Sequence, residues 1–203
     1  VATYCATPPP TDATWQDVLA HRCPGPMQDL AGKLDLTQVF TDFGLTQPPQ
    51  LPLNTETAVS PPPANLTLAM IGQDTLIVTP LQVGVAWAAL AADGRLPELQ
   101  IVNALQDDLG NWVSSAPEKR TDTAVSAKAA QSVRQALPVT DSTQTYSTLV
   151  LSGPGGSTNA WYLGLAPADQ PEYVVVVVVE NSDDLAGVER IGGELLTAVF
   201  PPR

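Results

Sequence analysis

Six consecutive valines, Val174 to Val179, constrain the fold of this chain more than any other feature. A strand with one face in water alternates apolar and polar residues, and this run does not alternate. Both faces of the strand must therefore be covered, as in a central strand packed between layers of helix. A helical pattern over Asp184 to Phe200 follows directly and predicts one of these covering layers.

Two more strands are predicted shortly before the valine run, at Ser147 to Leu151 and Ala160 to Leu165, with Gly/Pro turns between them. We expect three neighbouring antiparallel strands with the valine strand in the centre. Earlier helical patterns lie at Thr14 to His21, Met27 to Leu34, Leu36 to Phe43, Thr79 to Asp93 and Thr123 to Leu137. The fold class is therefore α/β of the α+β type, an antiparallel sheet flanked by helices.

The chain of 203 residues is long enough for one domain, and we expect a single domain over 1–203 with a proline-rich connection at 47–65. It begins at Val1 without an initiator Met, which suggests a fragment of a longer protein. A net charge of -12 with only 9 Lys and Arg disfavours nucleic acid as a partner. The longest apolar run, Tyr173 to Val179, is too short to span a bilayer.

The two cysteines, Cys5 and Cys23, are too few for a zinc site, because His21 is the sole histidine. We therefore expect no metal, and nothing in the sequence points to a cofactor. In an exported protein the pair could form a disulfide, whereas in cytoplasm both would stay thiols. The sequence leaves these two states open.

Three phrases in a fixed order carry a family resemblance. Val78 to Gln82 opens a helix, Ala160 to Pro167 precedes the valine strand, and Ala20 to Pro24 lies upstream of both. Together they resemble the C-terminal part of the transpeptidase domain of penicillin-binding proteins, the serine acyltransferases that cross-link peptidoglycan. The resemblance implies a partial transpeptidase or β-lactamase-like fold. It also implies an extracytoplasmic location, with a membrane anchor outside this fragment.

The residues that this chemistry needs are missing or replaced. A serine nucleophile needs a lysine one helical turn later, and no Ser-x-x-Lys occurs in the chain. The family's nucleophile would fall before Val1. At the family's Ser-x-Asn motif stand Arg22, Cys23 and Pro24, which offer neither a transferable proton nor a side-chain amide. Cys23 with His21 as its base is a weaker reading, because residues two apart on a helix do not face each other.

The family's Lys-Thr-Gly motif is matched by Leu151, Ser152 and Gly153, with no lysine in either of two alternative alignments. The segment Ser152 to Gly156 is interpreted either as a remnant peptide-binding edge or as a plain glycine-rich hairpin turn, and the turn is favoured. We therefore assign no catalytic residue within this chain.

Three functions remain in view. The first is a catalytically inactive transpeptidase-like domain with a binding or structural role in the bacterial cell envelope. Its partners would be peptidoglycan peptides or cell-envelope proteins. The alternative is an active D,D-transpeptidase or carboxypeptidase-like acyl-serine enzyme whose nucleophile lies upstream of this fragment. The third is an interaction module unrelated to cell walls.

Overall fold

The structure, a computed structural model, describes residues 5–49, 51, 63–74, 76–114, 122–152 and 156–201. Its helices are α1 (Trp15–Ala20), α2 (Pro24–Gln28), α3 (Leu36–Asp42), α4 (Leu66–Ala69), α5 (Pro80–Ala91), α6 (Ala127–Ala136) and α7 (Leu185–Val199). Its strands are β1 (Ala104–Gln106), β2 (Trp112–Ser114), β3 (Val139–Thr140), β4 (Thr143–Ser152), β5 (Ser157–Ala166) and β6 (Tyr173–Val179).

The main sheet has the strand order β3-β4-β5-β6, and every neighbouring pair is antiparallel. β4 and β5 form a long hairpin whose register runs from Gln144 opposite Leu165 to Ser152 opposite Ser157. The predicted fold class, an antiparallel sheet with flanking helices, is confirmed. The three predicted C-terminal strands are neighbours, as expected.

The predicted central place of the valine strand is wrong. Among the described strands β6 stands at the end of the sheet beside β5 alone, and β4 and β5 are the interior strands. The cover on both faces is nevertheless present. Helix α7 packs on one face of β6 and α5 on the other, where a Cβ at Gly84 would lie 3.7 Å from Val176 Cγ2. Two covering helices are enough to explain a strand without alternation, and they do not determine its place in the sheet.

Helix boundaries follow local capping. Thr79 caps α5 in a capping box with Gln82, and Pro80 occupies the first turn, where its missing N–H leaves no bond unmade. Helix α6 begins at Ala127 rather than at the predicted Thr123, because the Ser126 side chain accepts the N–H of Ala129. The helix predicted over Met27 to Leu34 is instead the five-residue α2, which starts at Pro24.

A small hairpin, β1 and β2, was missed from the sequence. Its strands are three residues each, and the Asp107 carboxylate accepts the N–H groups of Leu109 and Asn111 in the turn between them. Those bonds lower the pKa of Asp107, and its bonds to Asn111 contribute most. Trp112 and Leu109 are largely exposed. Most of the predicted proline-rich connection, 52–62, lies outside the described residues.

Candidate functional site

Arg22 stands in the turn between α1 and α2, the position that resembles the family's Ser-x-Asn motif. Its backbone is left-handed, with φ 52, which is uncommon for a residue other than glycine. Hydrogen bonds on both sides hold this turn: Cys23 N–H donates to Val18 O at 2.9 Å, and Ala6 N–H donates to His21 O at 2.9 Å. The surrounding chain therefore fixes the direction in which the Arg22 side chain leaves the turn.

A disulfide between Cys5 and Cys23 closes the same turn, with the two Cα atoms 4.0 Å apart. Cys23 is buried and also precedes the first residue of α2. The sequence left open whether Cys5 and Cys23 are free thiols or form a disulfide, and in this structure they are bonded. A bonded sulfur cannot act as a thiolate nucleophile. The suggested base, His21, instead places its Nδ1 2.8 Å from Thr7 Oγ1.

The guanidinium of Arg22 joins three parts of the molecule. Its Nε donates to Ser147 O at 2.7 Å, and its Nη2 donates to Ser147 Oγ at 2.8 Å and to Glu189 Oε1 at 2.8 Å. Ser147 Oγ also donates to Glu189 Oε1. We call Arg22, Ser147 and Glu189 the Arg22 clasp. It connects the turn before α2 with β4 and with α7.

The clasp lies at the outer edge of β4, the edge that faces away from β5. In an antiparallel ladder, alternate residues direct their backbone groups to opposite sides of the strand. Thr145 N–H bonds Pro138 O beyond that edge, and Ser147 O bonds Arg22 on the same side. The backbone groups of Leu149 and Leu151 therefore point outward as well. Among the described residues, β3 pairs with β4 at Thr143 and Gln144 alone.

The two predicted motif positions lie apart along β4. Arg22 contacts Ser147, whereas Leu151 lies four residues further on, opposite Thr158, with 39% of its surface exposed. The backbone of Ser152 pairs with that of Ser157 at the hairpin end, and Gly153 lies outside the described residues. Ser147 was named in the sequence only as the start of a strand. This polar residue is only 7% exposed, and burial of that kind was not visible in the sequence.

The third member of the predicted Ser-x-Asn match, Pro24, is buried at the start of α2. Its ring occupies the first helical position, where a proline fits without loss of a hydrogen bond. Pro24 therefore has a structural explanation that needs no ligand.

Two tyrosines flank the clasp on opposite faces of the sheet. Burial raises the pKa of Tyr146, although the hydrogen bond with Thr148 and the charge of Arg22 oppose the shift. Burial also raises the pKa of Tyr162, and the negative charge of Glu189 adds to that effect. Both phenols therefore stay protonated at neutral pH, and neither is suited to take a proton from a nucleophile.

A groove of about 960 Å³ runs from the clasp along the second half of α7. Hydroxyl groups dominate its polar lining, and its charged side chains are Asp141, Asp169 and Glu189. Within the part of the chain that the structure describes, no three His, Cys, Asp or Glu side chains are grouped to hold a metal ion. None of the helices described combines the length and apolar character that a membrane-spanning helix needs.

The chain is similar to curated proteins that are named peptidoglycan D,D-transpeptidases. The chain is 28% identical to the peptidoglycan D,D-transpeptidase PbpA of Mycolicibacterium smegmatis, over 95% of this chain and 43% of that protein. It is 31% identical to the protein of the same name from Mycobacterium tuberculosis H37Rv, over 77% of this chain and 35% of that protein. The chain therefore spans less than half the length of these relatives.

Solved structures show the same fold. Penicillin-binding protein A from M. tuberculosis, in its penicillin G acyl-enzyme complex, superimposes with a TM-score of 0.80 at 23% identity. The match covers 97% of this chain and 52% of that chain. The D,D-transpeptidase domain of a peptidoglycan glycosyltransferase from Eggerthella lenta gives a TM-score of 0.76 at 20% identity, over 92% of this chain and 53% of that chain. At these identities the likeness concerns the fold alone.

The family model described as the penicillin binding protein transpeptidase domain matches residues 10–201, which is nearly the whole chain. The match includes the Arg22 turn, the sheet and the helices on both of its faces. The chain therefore belongs to the penicillin-binding protein transpeptidase family.

Proposed function

We propose that this chain is a transpeptidase-type domain that does not carry out acyl transfer and has a binding or structural role in the bacterial cell envelope. The Arg22 clasp is the observation that carries this proposal. A guanidinium stays charged at all ordinary pH values and has no proton to relay, so Arg22 cannot replace a serine hydroxyl. In addition, its three hydrogen bonds commit it to Ser147 and Glu189.

The neighbouring positions support the same proposal. Cys23 is in a disulfide, Pro24 begins a helix, and the sequence contains no Ser-x-x-Lys. Groups that act as a unit in catalysis are grossly non-additive, so losing several costs little more than losing one essential member. An intact serine elsewhere in a longer protein would therefore still lack its partners.

We propose that the family's Lys-Thr-Gly motif corresponds to Thr145 to Ser147 rather than to Leu151 to Gly153. Acyl transfer needs its groups within reach of one substrate, and Arg22 touches β4 at Ser147. Four residues of strand separate Ser147 from Leu151, a distance of about 13 Å. The segment around Ser147 reads Thr-Tyr-Ser-Thr and also contains no lysine. The proposed loss of activity is the same for both placements.

Peptidoglycan peptides or other cell-envelope proteins are the proposed partners, because the curated relatives are named peptidoglycan D,D-transpeptidases. The disulfide supports an extracytoplasmic location, since such bonds persist in oxidising compartments. We propose a single domain over 1–203, held at the membrane through a segment outside these residues.

The second candidate is an active acyl-serine enzyme whose nucleophile lies upstream, and its support is the naming of those relatives. Incubation of this chain, and of a longer protein that contains it, with excess labelled penicillin separates the two. The proposal predicts no stable mass adduct on either protein. An adduct on the longer protein alone would favour the second candidate.

A further inference from the structure

We propose that the Arg22 clasp keeps the outer edge of β4 closed, so that an extended peptide can pair with this edge only after the clasp opens. This inference rests on the proposed function, since it concerns how the outer edge of β4 beside the clasp would admit a partner. The clasp is then an autoinhibitory contact within the domain itself.

The backbone of β4 supplies the first step of the argument. A peptide that adds to a strand edge as an antiparallel strand uses the outward C=O and N–H of the same residue. At Ser147 the outward C=O already accepts Arg22 Nε at 2.7 Å. The planar guanidinium therefore lies where the backbone of an added strand would have to lie.

The second step is that the Arg22 side chain is held at both ends. At its base, the turn is fixed by the Cys5–Cys23 disulfide at the next residue and by the left-handed backbone of Arg22. At its tip, Nη2 donates both to Ser147 Oγ and to Glu189 Oε1. A long side chain surrounded only by solvent changes its conformation easily. Arg22, in contrast, must break three hydrogen bonds before it can leave the edge of β4.

The third step is the charge of the closed state. Arg22 and Glu189 form an ion pair at 2.8 Å, with side-chain exposures of 30% and 43%. In the closed clasp, the Glu189 carboxylate is paired with the Arg22 guanidinium. When the clasp opens, Glu189 and Ser147 lose Arg22 and must bond to solvent or to the incoming partner. Apparent affinity falls in proportion to the open fraction, so a clasp that is open in roughly one molecule in ten weakens peptide binding about tenfold.

Four proteins test the proposal: the full chain, Arg22→Ala, Glu189→Gln, and Arg190→Ala as the control. Arg190 is a neighbouring arginine on α7 that forms an exposed pair with Glu194 and takes no part in the clasp. The probe is the synthetic peptide diacetyl-L-Lys-D-Ala-D-Ala, a mimic of a peptidoglycan stem. Binding is followed by NMR through the backbone amide signals of Ser147, Leu149 and Leu151.

We expect Arg22→Ala to bind the peptide about tenfold more tightly than the full chain and the Arg190→Ala control. The shifts should be largest at the outward amides of β4, and Glu189→Gln should fall in between. Equal affinities for the full chain and Arg22→Ala, or shifts confined to other regions, would overturn the proposal. If Arg22→Ala does not fold, Arg22→Lys serves instead, because lysine keeps the charge and loses the donor geometry.

The two proposals fail in distinguishable ways. A penicillin adduct would contradict the proposal that the domain is inactive, and it would not bear on the proposal that the clasp closes the edge of β4. Equal peptide affinities would contradict the clasp and would leave the inactive assignment unaffected.

Discussion

The ring of Tyr162 on β5 packs directly against the backbone of Gly192 on α7. A Cβ built on Gly192 would overlap Cδ1 and Cγ of that ring. On the sheet side, a Cβ at Gly164 would lie 3.0 Å from Leu196 Cδ2. Glycines on both elements thus allow α7 to lie close to the sheet, and Tyr162 and Val188 fill the space between them.

Gly192→Ala should therefore destabilise the fold by about 1–3 kcal/mol, because the new methyl group overpacks a filled interface. The matched control is Gly193→Ala, where a Cβ meets nothing within 4 Å. That control should be neutral or stabilising by up to about 1 kcal/mol, since alanine favours helix over glycine. Urea unfolding of both variants measures the difference. Equal effects would contradict the close approach of α7.

Val176→Asp should destabilise by about 2–4 kcal/mol, because it places an unpaired charge on the face of β6 that α5 covers. Leu109→Asp is the control, since Leu109 is 87% exposed in the β1–β2 turn. We expect the free energy of unfolding of that control to lie within about 0.5 kcal/mol of that of the unmodified chain. A Val176→Asp protein as stable as the control would mean that α5 does not cover β6.

Removal of the disulfide by Cys5→Ser with Cys23→Ser should cost about 3 kcal/mol, because the bond closes a loop of 18 residues in the unfolded chain. Reduction of the unmodified chain with dithiothreitol should have the same effect. Iodoacetamide should label neither cysteine before reduction and both after it. Labelling without reductant would show that the bond is absent.

Stability should fall at alkaline pH through Tyr162. Burial, with Glu189 nearby, raises the pKa of Tyr162 above its ordinary value of 10.0 in the folded chain. The unfolded chain therefore releases this proton first as pH rises. The contribution of protonated Tyr162 to the stability of the fold is fully present below pH 10.0. It is lost as the pH rises through the higher pKa that Tyr162 has in the folded chain.

Tyr162→Phe should remove that part of the pH dependence, whereas Tyr173→Phe, at a more exposed tyrosine, should not. Urea unfolding at about pH 8.5 and about pH 10.5 provides the comparison. The account would be wrong if both variants and the unmodified chain lost the same stability between these two pH values.

Local signals in the sequence determined much of the fold. The Thr79-Pro80 start of α5 and the valine run of β6 were visible because capping and strand burial depend on nearby residues. The end position of β6 was not visible, since two helices can cover an edge strand as well as a central one. The β1–β2 hairpin was missed because three-residue strands carry little pattern, although the Asp107 turn was a usable signal.

The site was less accessible to prediction. Family resemblance located the Arg22 turn, but the partners of Arg22 are Ser147 and Glu189, which lie 125 and 167 residues away. Contacts over such separations are set by how the helices and sheet pack, and no periodicity records them. The match of Leu151 to Gly153 to the Lys-Thr-Gly motif stays a prediction, since it rests on the resemblance and Gly153 lies outside the described residues.

Intact-mass analysis after incubation with excess labelled penicillin tests the central claim most directly. The M. tuberculosis penicillin-binding protein A, whose penicillin G acyl-enzyme structure superimposes on this chain, is the positive control. Under conditions that fully label the control, we predict that this chain and a longer protein that contains it both keep their unmodified masses. A stable adduct on either protein would contradict the assignment of an inactive transpeptidase-type domain.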